Sequence, residues 1–161
     1  MVMEVLIFPD AQSLARKSAD LVESQIKTFP DSVIGLATGS TPQGLYDELI
    51  RRHKDYHLSF ARVKTFNLDE YVGIPANHPQ SYRAFMDDNL FTKINIVSSN
   101  TQVPDGMAEN PLDVGPAYEK MIEEAGGIDL QVLGVGTDGH IGFNEPTSSL
   151  GSITRVKTLT K

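Results

Sequence analysis

The sequence predicts an α/β fold in which an open, mainly parallel sheet carries helices on both faces, as in Rossmann-like proteins. Two observations lead to this prediction. Segments with the apolar character of strands alternate along the chain with segments of helical periodicity, which is the order that parallel strands with helical connections require. The segment at residues 32–37 also shows little alternation of polar and apolar residues, which is typical of a strand covered on both faces.

The predicted elements follow one another as a single domain over residues 1–161, a length suited to one hydrophobic core. Asp10 is placed to cap the first helix, whose apolar residues recur on one face, and Pro42 stands at the start of the second. A loop rich in Pro, Gly, Asp and Asn is expected at residues 104–111. The predicted strands are residues 4–8, 32–37, 62–66 and 130–134, with a further strand before Lys161, and the later helices are residues 81–90 and 114–124.

The composition disfavours several classes of partner. The chain has 14 Lys and Arg against 21 Asp and Glu, for a formal net charge of -7, which disfavours general attraction to nucleic acid or to an anionic membrane surface. It contains no cysteine, so a disulfide framework and thiolate zinc ligands are excluded. No apolar run approaches the roughly 20 residues that span a bilayer, and no signal peptide is predicted. We therefore expect a cytoplasmic protein with no membrane or nucleic-acid partner.

Three polar loops follow predicted strands, and loops at the carboxyl ends of parallel strands form the binding crevice of such folds. The first is Thr38-Gly39-Ser40-Thr41, directly before the helix that starts at Pro42. Free backbone N–H groups and the helix dipole at such a position favour an anion, and the hydroxyl groups add further donors. The loop therefore predicts a phosphate site, with the alternative that Thr41 only caps the helix.

The second loop, residues 66–73, places two adjacent carboxylates immediately after an apolar strand. These are Asp69 and Glu70. A partly desolvated carboxylate at a strand end can have its pKa raised toward the working pH, which suits a general base. Either acid could take this role, and the alternative is an ordinary solvated loop.

The third loop, residues 134–146, contains a formal G-x-G-x-x-G sequence over residues 134–139. A dinucleotide site would need a helix directly afterwards and an acidic residue about 20 positions further on, and neither follows. The loop instead places His140 between Asp138 and Glu145, an arrangement that fixes an imidazole tautomer and supports its charged form. This predicts a proton shuttle, with a structural histidine as the alternative. A metal site would require more ligands, so none is predicted.

Together the three loops resemble the glucosamine-6-phosphate deaminase family. The motifs that carry the resemblance are Leu36-Ala37-Thr38-Gly39-Ser40-Thr41-Pro42, Phe66-Asn67-Leu68-Asp69-Glu70-Tyr71 and Gly136-Thr137-Asp138-Gly139-His140-Ile141-Gly142-Phe143-Asn144-Glu145-Pro146. The resemblance implies conversion of glucosamine 6-phosphate to fructose 6-phosphate and ammonia, with no metal or organic cofactor. It implies that Asp69 is the base for proton transfer at the second carbon of the sugar. It also implies that His140 opens the sugar ring with the assistance of Asp138 and Glu145. Residues 38–41 would hold the substrate phosphate.

The resemblance also bears on the extent, the assembly and the regulation of the protein. Family members extend well beyond the length of this chain, which implies that residues 1–161 are the N-terminal portion of a longer family domain. Monomeric relatives and homo-oligomeric relatives would share these loops, so both states stay open. Positions that bind the effector N-acetylglucosamine 6-phosphate in allosteric relatives match Ser148, Arg155, Lys157 and Thr158. The alternative for Arg155 and Lys157 is a solvated strand face.

Two rival functions share part of this sequence pattern. The 6-phosphogluconolactonases resemble this architecture, but their second loop reads Asp-Glu-Arg and their third continues Gly-His-Thr-Ala, whereas this chain has Tyr71 and Ile141 at those points. A sugar-phosphate-binding regulator without turnover could lack a catalytic carboxylate or histidine. The presence of Asp69, His140 and Glu145 therefore favours catalysis.

Overall fold

The structure, a computed structural model, describes residues 3–159 and contains one four-stranded parallel sheet. The strands are β1 (Val33–Leu36), β2 (Lys64–Asn67), β3 (Thr101–Gln102) and β4 (Leu130–Gln131). They lie side by side in the order β3-β2-β1-β4, and every neighbouring pair is parallel. The predicted open parallel sheet is confirmed.

Four α-helices connect or precede these strands: α1 (Ala11–Thr28), α2 (Gln43–Tyr56), α3 (Tyr82–Asn89) and α4 (Pro111–Glu124). Short 3-10 turns lie at Phe91–Lys93 and Ser98–Asn100. Side chains satisfy free N–H groups at three helix starts, where Asp10, Ser81 and Asn110 accept hydrogen bonds from the first turn. The helix predicted after Asp10 and those predicted at residues 81–90 and 114–124 are therefore present, with small differences at their ends.

The helices cover both faces of the sheet. Ile34 and Leu36 of β1 belong to the larger apolar core, which they form with α1, α2 and α3. Val33 and Phe66 point to the opposite face and pack with Tyr118 of α4. Successive side chains of a strand point to opposite faces, and both faces of β1 are buried. This explains why the β1 sequence lacks the polar alternation of a strand with one wet face.

The strand order creates a crevice at the carboxyl ends of β1 and β4. The chain runs from β1 outward to β2 and β3, and then α4 carries it back across the sheet to β4 on the other side of β1. Loops that leave two neighbouring strands in opposite directions separate from each other, and ligands of open α/β sheets bind in the gap. The loops after β1 and β4, together with the loop after β2, are the three polar loops of the sequence.

Two buried tyrosines hold the carboxyl ends of the central strands. The hydroxyl of Tyr46 on α2 donates to the carbonyl of Ala37, 2.5 Å away. From the other face, the hydroxyl of Tyr118 donates to the carbonyls of Asn67 and Gln102, at 2.9 and 3.0 Å. A buried carbonyl without a partner is costly, so these hydroxyls stabilise the strand ends from which the polar loops leave.

Among the described residues, two of the predicted strands are not formed, and one strand of the sheet has no counterpart in the prediction. Residues 4–8 are irregular, and the side chain of Ile7 is 92% exposed. A strand requires a neighbour with free backbone groups, and both edge strands are only two residues long. Residues 155–159 of the strand expected before Lys161 are irregular as well, and Lys161 itself lies outside the described residues. Conversely, β3 was not predicted, because the pair Thr101–Gln102 has no apolar run to reveal it.

Among residues 3–159, no helix is both long enough and apolar enough to cross a bilayer.

Candidate active site

The three polar loops meet in one cleft of about 430 Å³ at the carboxyl ends of the strands. We call this space the loop cleft. Its walls include residues from the loop after β1, the loop after β2 and the loop after β4, and these are Thr38, Gly39, Ser40, Thr41, Asp69, His140 and Glu145. The structure thus brings together side chains that are up to about a hundred positions apart in sequence, as expected for loops that follow parallel strands.

The loop after β1 leaves the start of α2 without a side-chain cap. Pro42 is the residue before the helix, and no side chain there accepts a hydrogen bond from the first turn. The alternative that Thr41 only caps this helix therefore has no support in the structure. Gly39 has a φ of +93°, a conformation that glycine adopts without strain. The backbone and hydroxyl donors of Ser40 and Thr41 are exposed beside the positive end of the helix dipole, which favours an anion in the cleft.

Asp69 lies two residues beyond β2 and is the carboxylate of its pair that lines the loop cleft. Burial raises the pKa of Asp69 from its ordinary 3.8 to about 6, a hydrogen bond from the backbone of Phe143 opposes the rise, and the charge of Glu70 adds to it. Gly142 lies so close that a Cβ on it would come within 2.8 Å of the Asp69 carboxylate. A carboxylate that is ionised at neutral pH yet more basic than usual suits a general base.

Glu70 has a different environment from Asp69 although the two are adjacent. It does not line the loop cleft, and its carboxylate faces the first turn of α3. Ser81 donates to it from the side chain, at 2.8 Å, while Tyr82 and Arg83 donate from the backbone. The sequence left open which acid is the base, and the structure leaves Asp69 alone with access to the cleft.

His140 is held by its own loop. Its Nδ1 lies 2.6 Å from Oδ1 of Asp138, and the same oxygen accepts the backbone N–H of His140 at 3.2 Å. This contact lowers the pKa of Asp138. A carboxylate accepts hydrogen bonds only, so Nδ1 carries a proton and Nε2 of the neutral ring is left free to accept one. A Cβ on Gly136 would come within 2.2 Å of the imidazole, which shows how closely the ring lies over the backbone.

Glu145 lines the same cleft as His140, but the two side chains form no hydrogen bond within the part of the chain that the structure describes. Asp138 contacts His140 without lining the cleft itself. The loop after β4 continues as a series of turns with no helix through residue 159, which agrees with the rejection of a dinucleotide site. In that same described region of the molecule, residues 3–159, no three His, Cys, Asp or Glu side chains are grouped as metal ligands.

Three aromatic side chains of the cleft were not assigned a role from the sequence. Tyr71, Tyr82 and Phe143, which we call the aromatic trio, have ring centroids between 5.0 and 5.5 Å apart. All three line the loop cleft with Asp69. Burial raises the pKa of Tyr82, and its contact with Tyr71 and the negative charge of Asp69 add to the rise. Tyr71 and Phe143 stand inside loop motifs and Tyr82 is the first residue of α3, but only the folded chain shows that the three rings lie together.

A second cavity of about 350 Å³ lies on the other side of Asp69 and Phe143. Of the four candidate effector residues, Arg155 and Lys157 line it. Arg155 donates to the side-chain oxygen of Asn144, 3.1 Å away. Ser148 and Thr158 line neither space, and the buried hydroxyl of Ser148 has no hydrogen-bond partner among the described residues. The structure therefore separates the four residues into two groups.

Comparison with known proteins identifies a protein family whose sequence pattern this chain matches. The family model of the glucosamine-6-phosphate isomerases and 6-phosphogluconolactonases matches residues 9–143. A glucosamine-6-phosphate deaminase of Cellvibrio japonicus is 55% identical over 159 residues, which cover 99% of this chain and 60% of that protein. A deaminase of the same name from Thermoanaerobacter pseudethanolicus is 50% identical, with 99% and 63% covered. The chain thus spans about three fifths of the length of the curated relatives it matches.

Solved structures give the same placement. A monomeric glucosamine-6-phosphate deaminase superposes with a TM-score of 0.97 at 41% identity, over 99% of this chain and 66% of that one. A 6-phosphogluconolactonase from Thermotoga maritima superposes with a TM-score of 0.70 at 25% identity, over 88% and 63%. The fold is common to both groups, and the similarity is much greater to the first.

Proposed function

The chain belongs to the glucosamine-6-phosphate isomerase and 6-phosphogluconolactonase family, and from that membership we propose that it carries the active site of a glucosamine-6-phosphate deaminase. The proposed reaction converts glucosamine 6-phosphate and water to fructose 6-phosphate and ammonia. Relatives that bear this name are 50 to 55% identical over almost the whole chain. The observation that carries the proposal is the loop cleft, in which a basic carboxylate, an exposed imidazole and an anion-binding loop face one space.

Residues 38–41 bind the substrate phosphate in this proposal. The positive end of the α2 dipole, the backbone of Gly39 and the hydroxyl groups of Ser40 and Thr41 supply donors to the phosphate oxygens. The phosphate would fix one end of the sugar, so that its first and second carbons lie toward Asp69 and His140. Correct placement of reacting atoms accounts for a large part of enzymatic rate.

His140 performs the ring opening. With a proton on Nδ1 held by Asp138, the free Nε2 accepts the proton of the anomeric hydroxyl and returns a proton to the ring oxygen, which breaks the bond between that oxygen and the first carbon. The product is the open-chain aldehyde. Glu145 supports the charged imidazolium from the same cleft by charge attraction.

Asp69 then acts on the second carbon. The aldehyde makes the neighbouring C–H acidic, so the carboxylate can remove that proton to form an enolamine. Return of a proton to the first carbon leaves an imine at the second carbon. Water adds there and ammonia leaves, which gives the ketose phosphate. The residues in these steps are Asp69, His140, Asp138 and Glu145, and the substrate's own carbonyl provides the electron sink.

The direct test is ammonia release from glucosamine 6-phosphate by the purified protein. We expect release that needs the phosphate, so glucosamine alone should react far more slowly. We also expect kcat/KM to fall about tenfold per pH unit below about pH 6, because a protonated Asp69 cannot accept the proton. Hydrolysis of 6-phosphogluconolactone without ammonia release would support the lactonase, and binding of the sugar phosphate without turnover would support the regulator.

Location, assembly and regulation are separate parts of the proposal. We place the enzyme in the cytoplasm, where its sugar-phosphate substrate would be present. We propose Arg155 and Lys157 as the effector ligands, since both cations reach the second cavity, whereas Ser148 and Thr158 would need a rearrangement to join them. A fall in the substrate concentration at half-maximal rate on adding N-acetylglucosamine 6-phosphate, lost in Arg155→Ala, would support this. Light scattering distinguishes a monomer from a homo-oligomer.

A further inference from the structure

Glu70 is the one carboxylate of the second loop to which the proposed mechanism gives no step. Its two oxygens accept four hydrogen bonds, two each. Oε1 accepts the backbone N–H groups of Tyr71, at 2.8 Å, and of Tyr82, at 3.0 Å. Oε2 accepts the hydroxyl of Ser81, at 2.8 Å, and the N–H of Arg83, at 3.0 Å. Hydrogen bonds to an ionised acceptor are among the stronger ones in proteins.

The four donors come from two separate segments of the chain. Tyr71 continues the loop after β2, whereas residues 81–83 are the cap and first turn of α3. Glu70 therefore joins the loop of the proposed base to the amino end of a helix, where the helix dipole favours a negative charge. It also fixes the backbone of Tyr71 and Tyr82, two members of the aromatic trio.

The aromatic trio lies beside Asp69 in the loop cleft. The rings of Tyr71 and Tyr82 pack on each other and on Phe143, and all three line the cleft beside Asp69. Aromatic side chains remove a large apolar area from water, and exclusion of water from one side of a carboxylate disfavours its charged form. The backbone of Phe143 opposes this effect, because it favours the charged form of Asp69. The position of the rings therefore sets how much water reaches this carboxylate.

We infer that Glu70 is a positioning residue, which holds the aromatic trio against Asp69 through its hydrogen bonds to Tyr71 and to the first turn of α3. The inference rests on the proposed function, because it concerns the base of that reaction. Glu70 does not touch the loop cleft and takes no proton from the substrate. Its effect on the reaction runs through the placement of the rings and of the loop that carries Asp69.

Other titratable and charged groups also lie near Asp69, and a substitution at Glu70 does not alter their chemical identity. The titratable and charged groups that face it, or line the spaces it lines, are Tyr71 from its own loop, Tyr82 from α3, Asp105 from the loop after β3, Tyr118 from α4, His140 and Glu145 from the loop after β4, and Arg155 and Lys157 across the second cavity. Glu70 itself contributes a negative charge. A test must therefore separate the loss of this charge from the loss of its hydrogen bonds.

Two substitutions achieve that separation. Glu70→Gln keeps the length of the side chain but removes its charge and replaces one acceptor oxygen by an NH2 group. This group cannot accept hydrogen bonds from the N–H donors that Glu70 contacts. Glu70→Asp keeps the charge but shortens the side chain, so it cannot reach the backbone of Tyr71 and the first turn of α3 together. Ser81→Ala is the matched control, because it weakens the cap of α3 while three of the four hydrogen bonds of Glu70 remain.

In both Glu70 variants we expect water to reach Asp69 and its pKa to move at least about one unit toward the ordinary value of 3.8. The acid limb of kcat/KM should move to lower pH by the same amount. The value of kcat should fall about 10 to 100-fold through misplacement of the base, with a smaller change in KM. Ser81→Ala should lower the melting temperature and leave the acid limb in place.

Titration of the Asp69 carboxyl carbon by 13C NMR measures the same property without substrate. If the wild-type protein releases no ammonia, the proposed function fails, but this titration still decides whether Glu70 controls the ionisation of Asp69. An unchanged Asp69 titration in Glu70→Asp would overturn the inference and leave only an effect of charge. An equal shift of the Asp69 pKa in Ser81→Ala would also overturn the inference, because weakening the cap of α3 would then be enough to change the ionisation of Asp69.

Discussion

Replacing Asp69 by Asn should stabilise the folded protein at neutral pH although it removes the proposed base. The raised pKa means that the folded state resists ionisation of this side chain. Each pH unit between the ordinary and the raised pKa corresponds to about 1.4 kcal/mol, so the ionised carboxylate costs the fold about 3 kcal/mol above pH 7. The side chain reaches solvent on its cleft side, which reduces the expected value to about 2 kcal/mol.

The pH dependence gives this prediction its sign. Between pH 3.8 and about 6 the folded state retains a proton on Asp69 that the unfolded state has lost. Stability of the wild-type protein from this group therefore falls as the pH rises through that window, and it is fully lost above about pH 6. Asn mimics the protonated form in shape and charge at every pH. The advantage of Asp69→Asn should thus be near zero at pH 4 and greatest at pH 8.

Urea unfolding at pH 4, 6 and 8 measures the effect. With an m value of about 2 kcal/mol/M, a difference of 2 kcal/mol raises the unfolding midpoint of Asp69→Asn by about 1 M at pH 8. Asp88→Asn, on the exposed side of α3, is a suitable control for the removal of one acid. A variant that is less stable than wild type at pH 8, or whose advantage is the same at pH 4, would show that Asp69 is not held in a desolvating site.

Three further predictions concern other residues of the site and core. Asp69→Asn should reduce ammonia release and solvent hydrogen exchange at the second carbon together, by about 100-fold or more. The loss of activity in His140→Gln should be partly restored by a substrate analogue whose ring is already open. Unchanged hydrogen exchange in Asp69→Asn would refute this division of roles. Gly136→Ala should lower kcat about 10 to 100-fold, since its Cβ would displace the imidazole. Gly151→Ala is the control, because its Cβ would make only an ordinary contact of 3.8 Å with the hydroxyl of Ser149. Equal values of kcat in the two variants would refute the close approach of Gly136 to the imidazole. Arg52→Ala should lower the free energy of unfolding by about 3 kcal/mol, because this buried side chain contacts Asp20, Glu23 and Glu48. Arg62→Ala is the control. It breaks an exposed ion pair with Asp31 and should change the free energy of unfolding by less than about 1 kcal/mol.

The sequence was sufficient for those features that depend on local pattern and on the geometry of parallel sheets. β1 was predictable because buried strands of parallel sheets have continuous apolar character, and β2 was predictable from its place in the alternation of strands and helices. The meeting of residues 38–41 with His140 followed from the rule that loops after parallel strands share one edge. Neither required knowledge of any particular contact between side chains.

Features that depend on contacts between residues distant in the chain could not be predicted from the sequence. Asp69 and Glu70 look alike as neighbours in a loop, and their difference arises from residues 81–83, which approach only in the folded chain. The pairing of Thr101–Gln102 as β3 depends on its place beside β2, and Tyr118 donates to the carbonyl of Gln102 from α4. Residues 4–8 show the converse, since apolar character alone does not create a strand without a neighbour to pair with.

The contact between Asp138 and His140 has a consequence for the order of chemical events. The two residues are two positions apart in one loop, so any displacement of this loop carries donor and acceptor together. The protonation pattern of the imidazole is therefore independent of where the loop stands, and Nε2 arrives ready to accept a proton whether the sugar is cyclic or extended. Asp69, by contrast, is fixed to the end of β2. In the proposed reaction, His140 would therefore present the same tautomer to the cyclic and to the open sugar, while the proposed base for the second carbon stays at the end of β2.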